Sequence, residues 1–265
     1  MRASVIVTTY NDPVRLVRAL EGFSLQERFP DEVIVADDGS GPETAEAVSG
    51  FSGGAPFPLL HVRHEDMGFR AGKIRNEAIK KSSGDYIILL DGDCIPERHF
   101  VGDHLRLAEK GRFVQGKRVI VGRKASGAFS ARDANSFSTL LRQALGFSIS
   151  NSHHILRMPF FPARRNRRLK GIKSCNMGFF RDDIFAVNGF NEAFVGWGRE
   201  DSELAVRLFR YGLMRKEHPF SAICFHLWHP ARTKDSLPVN DALLEETLKG
   251  GGYFCKDGMV KAETR

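Results

Sequence analysis

"DYIILLDGD", residues 85–93, decides the fold. One tyrosine and four aliphatic residues form a run of strand length that stops at two acids, which reads as a fully buried strand ending at a polar edge. Upstream, "ASVIVTTY" (3–10) is a second such run, and Asn11–Asp12–Pro13 after it starts an amphipathic helix reaching about Gln26. "EVIVADD" (32–38) is a strand closed by Gly39–Ser40–Gly41–Pro42, a short helix falls near 43–49, and "LLHVR" (59–63) is another strand. "AGKIRNEAIKKS" (71–82) places Ile74, Ala78 and Ile79 on one helical face. Strands alternating with helices predict an α/β fold with a mostly parallel central sheet flanked by helices. The ligand edge of such a sheet lies beyond the carboxyl ends of its strands, where Thr8–Thr9–Tyr10, Asp37–Asp38 and Asp91–Gly92–Asp93 fall.

The second half is less regular. A helix near 97–109, a strand near 113–121 and a Ser/Ala-rich stretch to about 150 precede a basic run. "CNMGFF" (175–180), a helix over 199–211 and the strand "SAICFH" (221–226) follow, with no internal repeat and no clean linker. The chain of 265 residues fits one domain. It contains no apolar run long enough to span a bilayer and no signal-peptide pattern at its start. Four scattered cysteines without a CxxC pair predict reduced thiols rather than a disulfide framework or a zinc site.

The net charge of +7 predicts an anionic partner. "RMPFFPARRNRRLKGIK" (157–173) carries seven basic residues and no acid beside Phe160 and Phe161. That composition suits either a solvated loop or a contact with an anionic membrane surface or acceptor. No nucleic-acid partner is expected, because no zinc-finger spacing, RNP strand or helix-turn-helix accompanies the charge.

Asp91 and Asp93, two apart at a strand end, would face one side and suit a hard divalent cation, Mn²⁺ or Mg²⁺; a polar turn has the same letters. Asp37 and Asp38 suit either a helix-opening turn or a hydrogen bond to a nucleobase. Arg70, Lys73 and Arg75 near a helix start favour anions. His226 and His229, three apart in "FHLWHP", suit imidazole ligands completing a metal site. "FVGWGREDSELAVRL" (194–208) sets Trp197 before Glu200, Asp201 and Glu203 at a helix start, where acids are also simply stabilised by the helix dipole.

In register, "SVIVTTYND", "VIVADDGS", "HEDMGFRAGKIRN", "ILLDGDCIP", "CNMGFFRDDIFAVNGFNE", "GWGREDSELAVRL" and "FHLWHP" resemble the inverting family 2 glycosyltransferases of GT-A fold. The later motifs are similar to a subgroup of galactosyltransferases and chondroitin-type polymerases carrying W-G-x-E-D. The resemblance spans residues 4–230 and leaves out 124–170 and the tail after about 235. It implies one GT-A domain over 1–235, with a nucleotide-sugar half (1–121), an acceptor half (122–235), and a C-terminal helix and tail (236–265). It implies that Thr9, Tyr10, Asp37 and Asp38 hold the nucleobase, with Arg70, Lys73 and Asn76 near the nucleotide. Asp91 would approach the ribose or the metal, and Asp93 with His229 or His226 would bind the metal. Asn176 would meet the donor sugar, Trp197 and Glu200 the acceptor, and Asp201 would be the base. Ser202 stands where relatives often carry a third acid, which bears on acceptor identity.

The implied reaction is metal-dependent sugar transfer from a nucleotide sugar, UDP-linked by family weight, to a glycan or lipid-linked acceptor in bacterial surface polysaccharide or lipopolysaccharide synthesis. The expected location is the cytoplasmic side, peripheral at the inner face of the plasma membrane. Two alternatives stand beside this reading. A nucleotidyltransferase should show a Gly-rich loop after its first strand, which "TTYNDPVRL" lacks, and a basic nucleic-acid or membrane module has no need of the acids.

Overall fold

The computed structural model describes residues 1–231 and 233–261. The first half alternates as expected: β1 (Ala3–Thr9), α1 (Pro13–Ser24), β2 (Glu32–Asp37), α2 (Pro42–Ser52), β3 (Leu59–Arg63), α3 (Ala71–Lys81) and β4 (Tyr86–Asp91). Then come β5 (Cys94–Pro96), α4 (Phe100–Leu107), β6 (Arg112–Gln115), β7 (Lys117–Val121), α5 (Arg123–Ser126), α6 (Phe137–Leu145) and β8 (Ile149–Ser150). The chain continues through β9 (Arg164–Asn166), β10 (Asn176–Phe180), α7 (Arg181–Ala186), α8 (Glu200–Arg210), β11 (Met214–Glu217), β12 (Ile223–His226) and α9 (Leu237–Lys249).

Eight strands form one sheet in the order β3-β2-β1-β4-β10-β6-β11-β9. The first four are parallel, while β10 runs antiparallel to both β4 and β6. The period-two alternation of the apolar strands supplies a core on each face. Ile87 and Leu89 of β4 pack with Ile74 and Ala78 of α3 and Leu204 of α8, whereas Ile88 and Leu90 pack with Leu16 and Leu20 of α1. A smaller sheet, β5-β12-β7-β8, carries a third core under α6.

The strand expected over 113–121 is two strands in two sheets, β6 in the large one and β7 in the small one. The chain changes sheets at Gly116, and a methyl there would stand 2.1 Å from Asn176 Oδ1. The halves expected on either side of residue 121 share one sheet, since β10 lies between β4 and β6. Residues 236–261 also pack on this domain. α9 packs on α8, and Met259 enters the core with α3 and α8.

Gly116→Ala is expected to lower stability by about 2–3 kcal/mol, because Asn176 is buried and hydrogen-bonded and cannot yield to a new methyl. Denaturant unfolding of the variant beside the parent chain measures it.

Candidate active site

Parallel pairing aligns the ends of β1, β2 and β4 at one edge, and residues of all three segments line a cleft of about 1020 Å³. Its far wall comes from 169–175, the 197–202 segment and 226–231.

At one end lies Asp38. Its Oδ1 is 2.7 Å from His64 Nε2, and its Oδ2 accepts the Arg70 backbone N–H at 2.8 Å. Burial outweighs those partners and holds its pKa above the usual carboxylate range. Thr9 and Tyr10 line the same wall, and the tyrosine hydroxyl donates to Asp66 at 3.0 Å. Asp37 turns away from the cleft. It accepts the Ser40 N–H at 2.8 Å and lies 3.0 Å from His61 Nε2. Burial works to raise its pKa, but these hydrogen bonds prevail and hold it low.

The helix behind this wall uses its residues differently from expectation. Arg70 and Lys73 do not line the cleft, and the Arg70 Nε donates to Met67 O at 3.2 Å. Asn76 is fully buried away from it, donating to Phe190 O at 2.9 Å and accepting the Phe190 N–H at 2.8 Å. Arg75 is the residue that reaches the site. Buried between the strands and α8, it donates to Thr8 Oγ1 (3.0 Å) and Asp91 Oδ1 (2.9 Å), with Glu200 Oε1 at 3.4 Å. Its signal in the sequence is its position: Ala71, Arg75 and Ala78 share the buried face of α3, so a cation there requires an anion.

The two acids of D-x-D part company. β4 ends at Asp91, and Gly92–Asp93 forms the turn into β5, so the strand period does not relate them. Asp91 binds Arg75 and is outside the group that could hold a metal. Asp93 is in that group. Its Oδ2 is 3.1 Å from His229 Nε2 and 3.5 Å from His226 Nε2, and ligand atoms of all three lie within 4.8 Å of one another.

These residues fit a divalent cation. His229 Nδ1 is 2.7 Å from the Pro230 carbonyl, which can only accept, so Nδ1 carries a proton and Nε2, beside Asp93, is the nitrogen that could serve a metal; the hydrogen bond with Asp93 raises the pKa of this imidazole. The buried Nδ1 of His226 has no partner among the described residues, leaving its Nε2 as the atom that meets Asp93. The Asp93 pKa is held low by the two imidazoles against burial, and burial lowers that of His226.

Opposite, Gly196 and Gly198 take positive φ angles of 75° and 107° around Trp197, and Arg199 at φ 77° starts α8 without a side-chain cap. A methyl on Gly196 would meet Ser236 Oγ at 2.1 Å, so glycine lets this loop lie against the start of α9. Trp197 is 44 % exposed in the cleft rather than packed in the core. Glu200 is pushed up to about 7 by burial and by the neighbouring Asp201 charge, with Arg75 opposing. Burial raises the Asp201 pKa as well, and among the described residues its carboxylate has only the Ser202 hydroxyl, at 3.3 Å, as side-chain hydrogen-bond partner. Glu203 faces inward in a bidentate pair with Arg207, at 2.7 Å on each oxygen.

Asn176 is also absent from the cleft. Its amide donates to Lys117 O (3.0 Å) and Ala222 O (2.8 Å), and His104 Nε2 lies 2.8 Å from its Oδ1, tying β10 to the small sheet beside a side recess of about 210 Å³. The basic run divides too. Lys170 and Lys173 line the cleft, Arg164–Asn166 becomes the edge strand β9, and Arg157 and Arg165 pair with Asp103 and Glu109.

The signature described as "Glycosyl transferase family 2" matches residues 4–181, two thirds of the chain. The chain belongs to glycosyltransferase family 2. A second signature, "N-terminal domain of galactosyltransferase", matches 158–230, the stretch that holds the tryptophan loop, Asp201 and both histidines. Among curated relatives, hyaluronan synthase of Pasteurella multocida is 28% identical over 79% of this chain and 23% of its own length. Chondroitin synthase of Escherichia coli is 26% identical over 88% of this chain and 36% of its own. The chain thus spans about a quarter to a third of those relatives. Among solved structures, S. aureus TarS in complex with UDP superposes with a TM-score of 0.65 at 16% identity, covering 95% of this chain and 66% of that one. The mannosyltransferase of Pyrobaculum calidifontis in complex with GDP-Man and Mn²⁺ gives 0.60 at 20% identity, covering 94% and 65%. These likenesses establish the GT-A fold.

Glu200 makes stability depend on pH in a definite sense. Its folded pKa of about 7 exceeds the ordinary 4.5, so the folded state binds the extra proton and stability falls as pH rises from about 4.5 through 7. Glu200→Gln is expected to remove that slope, so the variant gains on the parent by up to about 3 kcal/mol between pH 5 and pH 8. Unfolding at both pH values measures the gain.

Proposed function

We propose that this chain is an inverting, metal-dependent glycosyltransferase that moves a sugar from a UDP-sugar to a hydroxyl of a glycan or glycolipid acceptor. One observation carries the reading: the Asp93, His226 and His229 cluster and the Asp201 carboxylate open into one cleft, which Trp197 also lines. A transferase needs both functions at one anomeric carbon, neutralisation of a departing diphosphate and removal of a proton from the attacking hydroxyl.

Asp93, His226 and His229 would hold the divalent ion, which when bound supplies positive charge to the leaving diphosphate. A carboxylate with two imidazoles suits Mn²⁺ better than Mg²⁺, which prefers an all-oxygen shell. Thr9, Tyr10 and Asp38 hold the nucleobase end. Asp201 takes the acceptor hydroxyl proton while that oxygen attacks the anomeric carbon, and the nucleoside diphosphate leaves from the opposite face, inverting the centre. Its raised pKa strengthens it as a base, and Glu200, fixed by Arg75, orients the acceptor hydroxyls. Trp197 offers an apolar face to the acceptor sugar.

The relatives named hyaluronan and chondroitin synthases support a glycan acceptor, and TarS in complex with UDP supports the donor nucleotide. The chain acts in bacterial surface polysaccharide or lipopolysaccharide synthesis at the inner face of the plasma membrane. Lys170 and Lys173 face the acceptor, and Arg164, Arg167 and Arg168 of the same run face anionic headgroups. Among the described residues no helix is long and apolar enough to cross a membrane.

Asp201→Asn is expected to lower the transfer rate by about 10²–10⁴-fold while leaving Mn²⁺-dependent UDP binding intact. His229→Ala is expected to weaken that binding at least tenfold. Calorimetry with UDP and a panel of UDP-sugars, with and without Mn²⁺, reads both. Full activity of Asp201→Asn removes its role as base, and absence of any metal-dependent nucleotide binding in the parent chain overturns the reading.

A further inference from the structure

α6 presents apolar residues in two directions. Leu140 and Ala144, one turn apart, pack on the small sheet, while Phe137, Leu141 and Leu145 form an outward stripe at i, i+4 and i+8, with Leu145 73 % exposed. A helix lying on a domain in water normally turns a polar face outward. Just beyond α6, Phe147 is 93 % exposed and its backbone sits at φ 53°. Left-handed backbone costs a non-glycine residue on the order of 1 kcal/mol, so neither packing nor backbone geometry accounts for an aromatic ring there.

Charge accompanies the stripe. From Ala134 to Phe180 the chain has no Asp or Glu and eight Lys or Arg, against a total of +7, so the rest of the chain is close to neutral. Among the described residues, Arg142 on the flank of the stripe and Arg164, Arg167 and Arg168 further on pair with no carboxylate. The turn Ser152–Ile155 joins the two regions. Ile155 packs on the same core as the inner face of α6, and the chain leaves it into Leu156–Phe161, where Phe160 is 99 % exposed.

We propose that α6 and Phe147 form a bilayer-docking element that inserts the outward stripe into the interfacial layer of an anionic membrane, with the unpaired arginines on its headgroups. Contiguous exposed apolar surface marks an interaction site. A stripe flanked by the unpaired Arg142, in a stretch of chain with eight cations and no acid, suits anionic lipid. The proposal extends the membrane placement given above from the basic run to a named helix. Vesicle binding tests it separately from sugar transfer.

The test is co-sedimentation of the full chain with vesicles of phosphatidylethanolamine and phosphatidylglycerol, beside vesicles of phosphatidylcholine alone. The parent chain is expected to bind the first and not the second. The double variant Leu141→Asp/Leu145→Asp, whose side chains point outward, is expected to lose at least about tenfold in partitioning with its unfolding midpoint and UDP binding unchanged. Phe147→Trp is expected to show a blue-shifted emission on the anionic vesicles that the parent lacks. Failure of the parent to bind phosphatidylglycerol vesicles overturns the proposal, as does undiminished binding by the double variant. A concentration-dependent dimer that the double variant abolishes would assign the stripe to a second copy of the chain instead.

Discussion

The site depends on one buried cation. Arg75 is held among β1, β4 and α8, and its three donor nitrogens go to Thr8, Asp91 and Glu200. Those partners come from residues 67, 16 and 125 positions away, so one guanidinium ties the cleft edge of the sheet to the acid-bearing helix. A buried charge is tolerated only when paired, and the geometry of a planar fork allows several partners at once. Lysine would supply the charge without that geometry.

This constraint explains why the two acids of D-x-D do different work. Asp91, at the end of β4, is drawn back onto Arg75, while the turn at Gly92 carries Asp93 across to the histidines that follow β12. β12 pairs with β5 directly after that turn, with His226 opposite Cys94, so sheet register places the second group of ligands. The positively charged centre and the candidate metal centre therefore sit on neighbouring residues without competing for one carboxylate.

The apolar runs of β1, β2 and β4 were legible because strands buried on both faces need no partner to be recognised, and the acids at their ends were legible because a parallel sheet exposes those ends together. Asp38, Asp93, the histidine pair and Trp197 followed from position and family resemblance. What escaped was set by long-range packing. The break at Gly116 exists because Asn176 fills the space beside it. Asn76 and Asn176 carry an amide that serves a ligand or a backbone joint equally well, and only the structure shows both spent on joints. Arg75 was visible as a cation near a helix start, but its role required knowing which anions the fold brings to it. The tail past residue 235 had no motif, yet Asn240 of α9 donates to Val195 O and Gly198 O and so steadies the tryptophan loop.

The three acids opening α8 show how such constraints assign chemistry. A helix start favours ionised carboxylates, which would make all of them weak bases. Glu203 turns inward and pairs with Arg207. Glu200 and Asp201 do not follow it, because burial raises both, and for Glu200 the charges of Asp201 and Asp91 add to burial against the opposing charge of Arg75. Glu200 therefore keeps a proton close to neutral pH. Lys173, on the 169–175 segment, draws Asp201 toward its ionised form, and Arg75 stands nearer to Glu200. Among the described residues, the carboxylate of this pair with no ion pair and with a place in the cleft lining is Asp201, so charge placement on two separate elements, rather than order along the helix, distinguishes the proposed base from its neighbour.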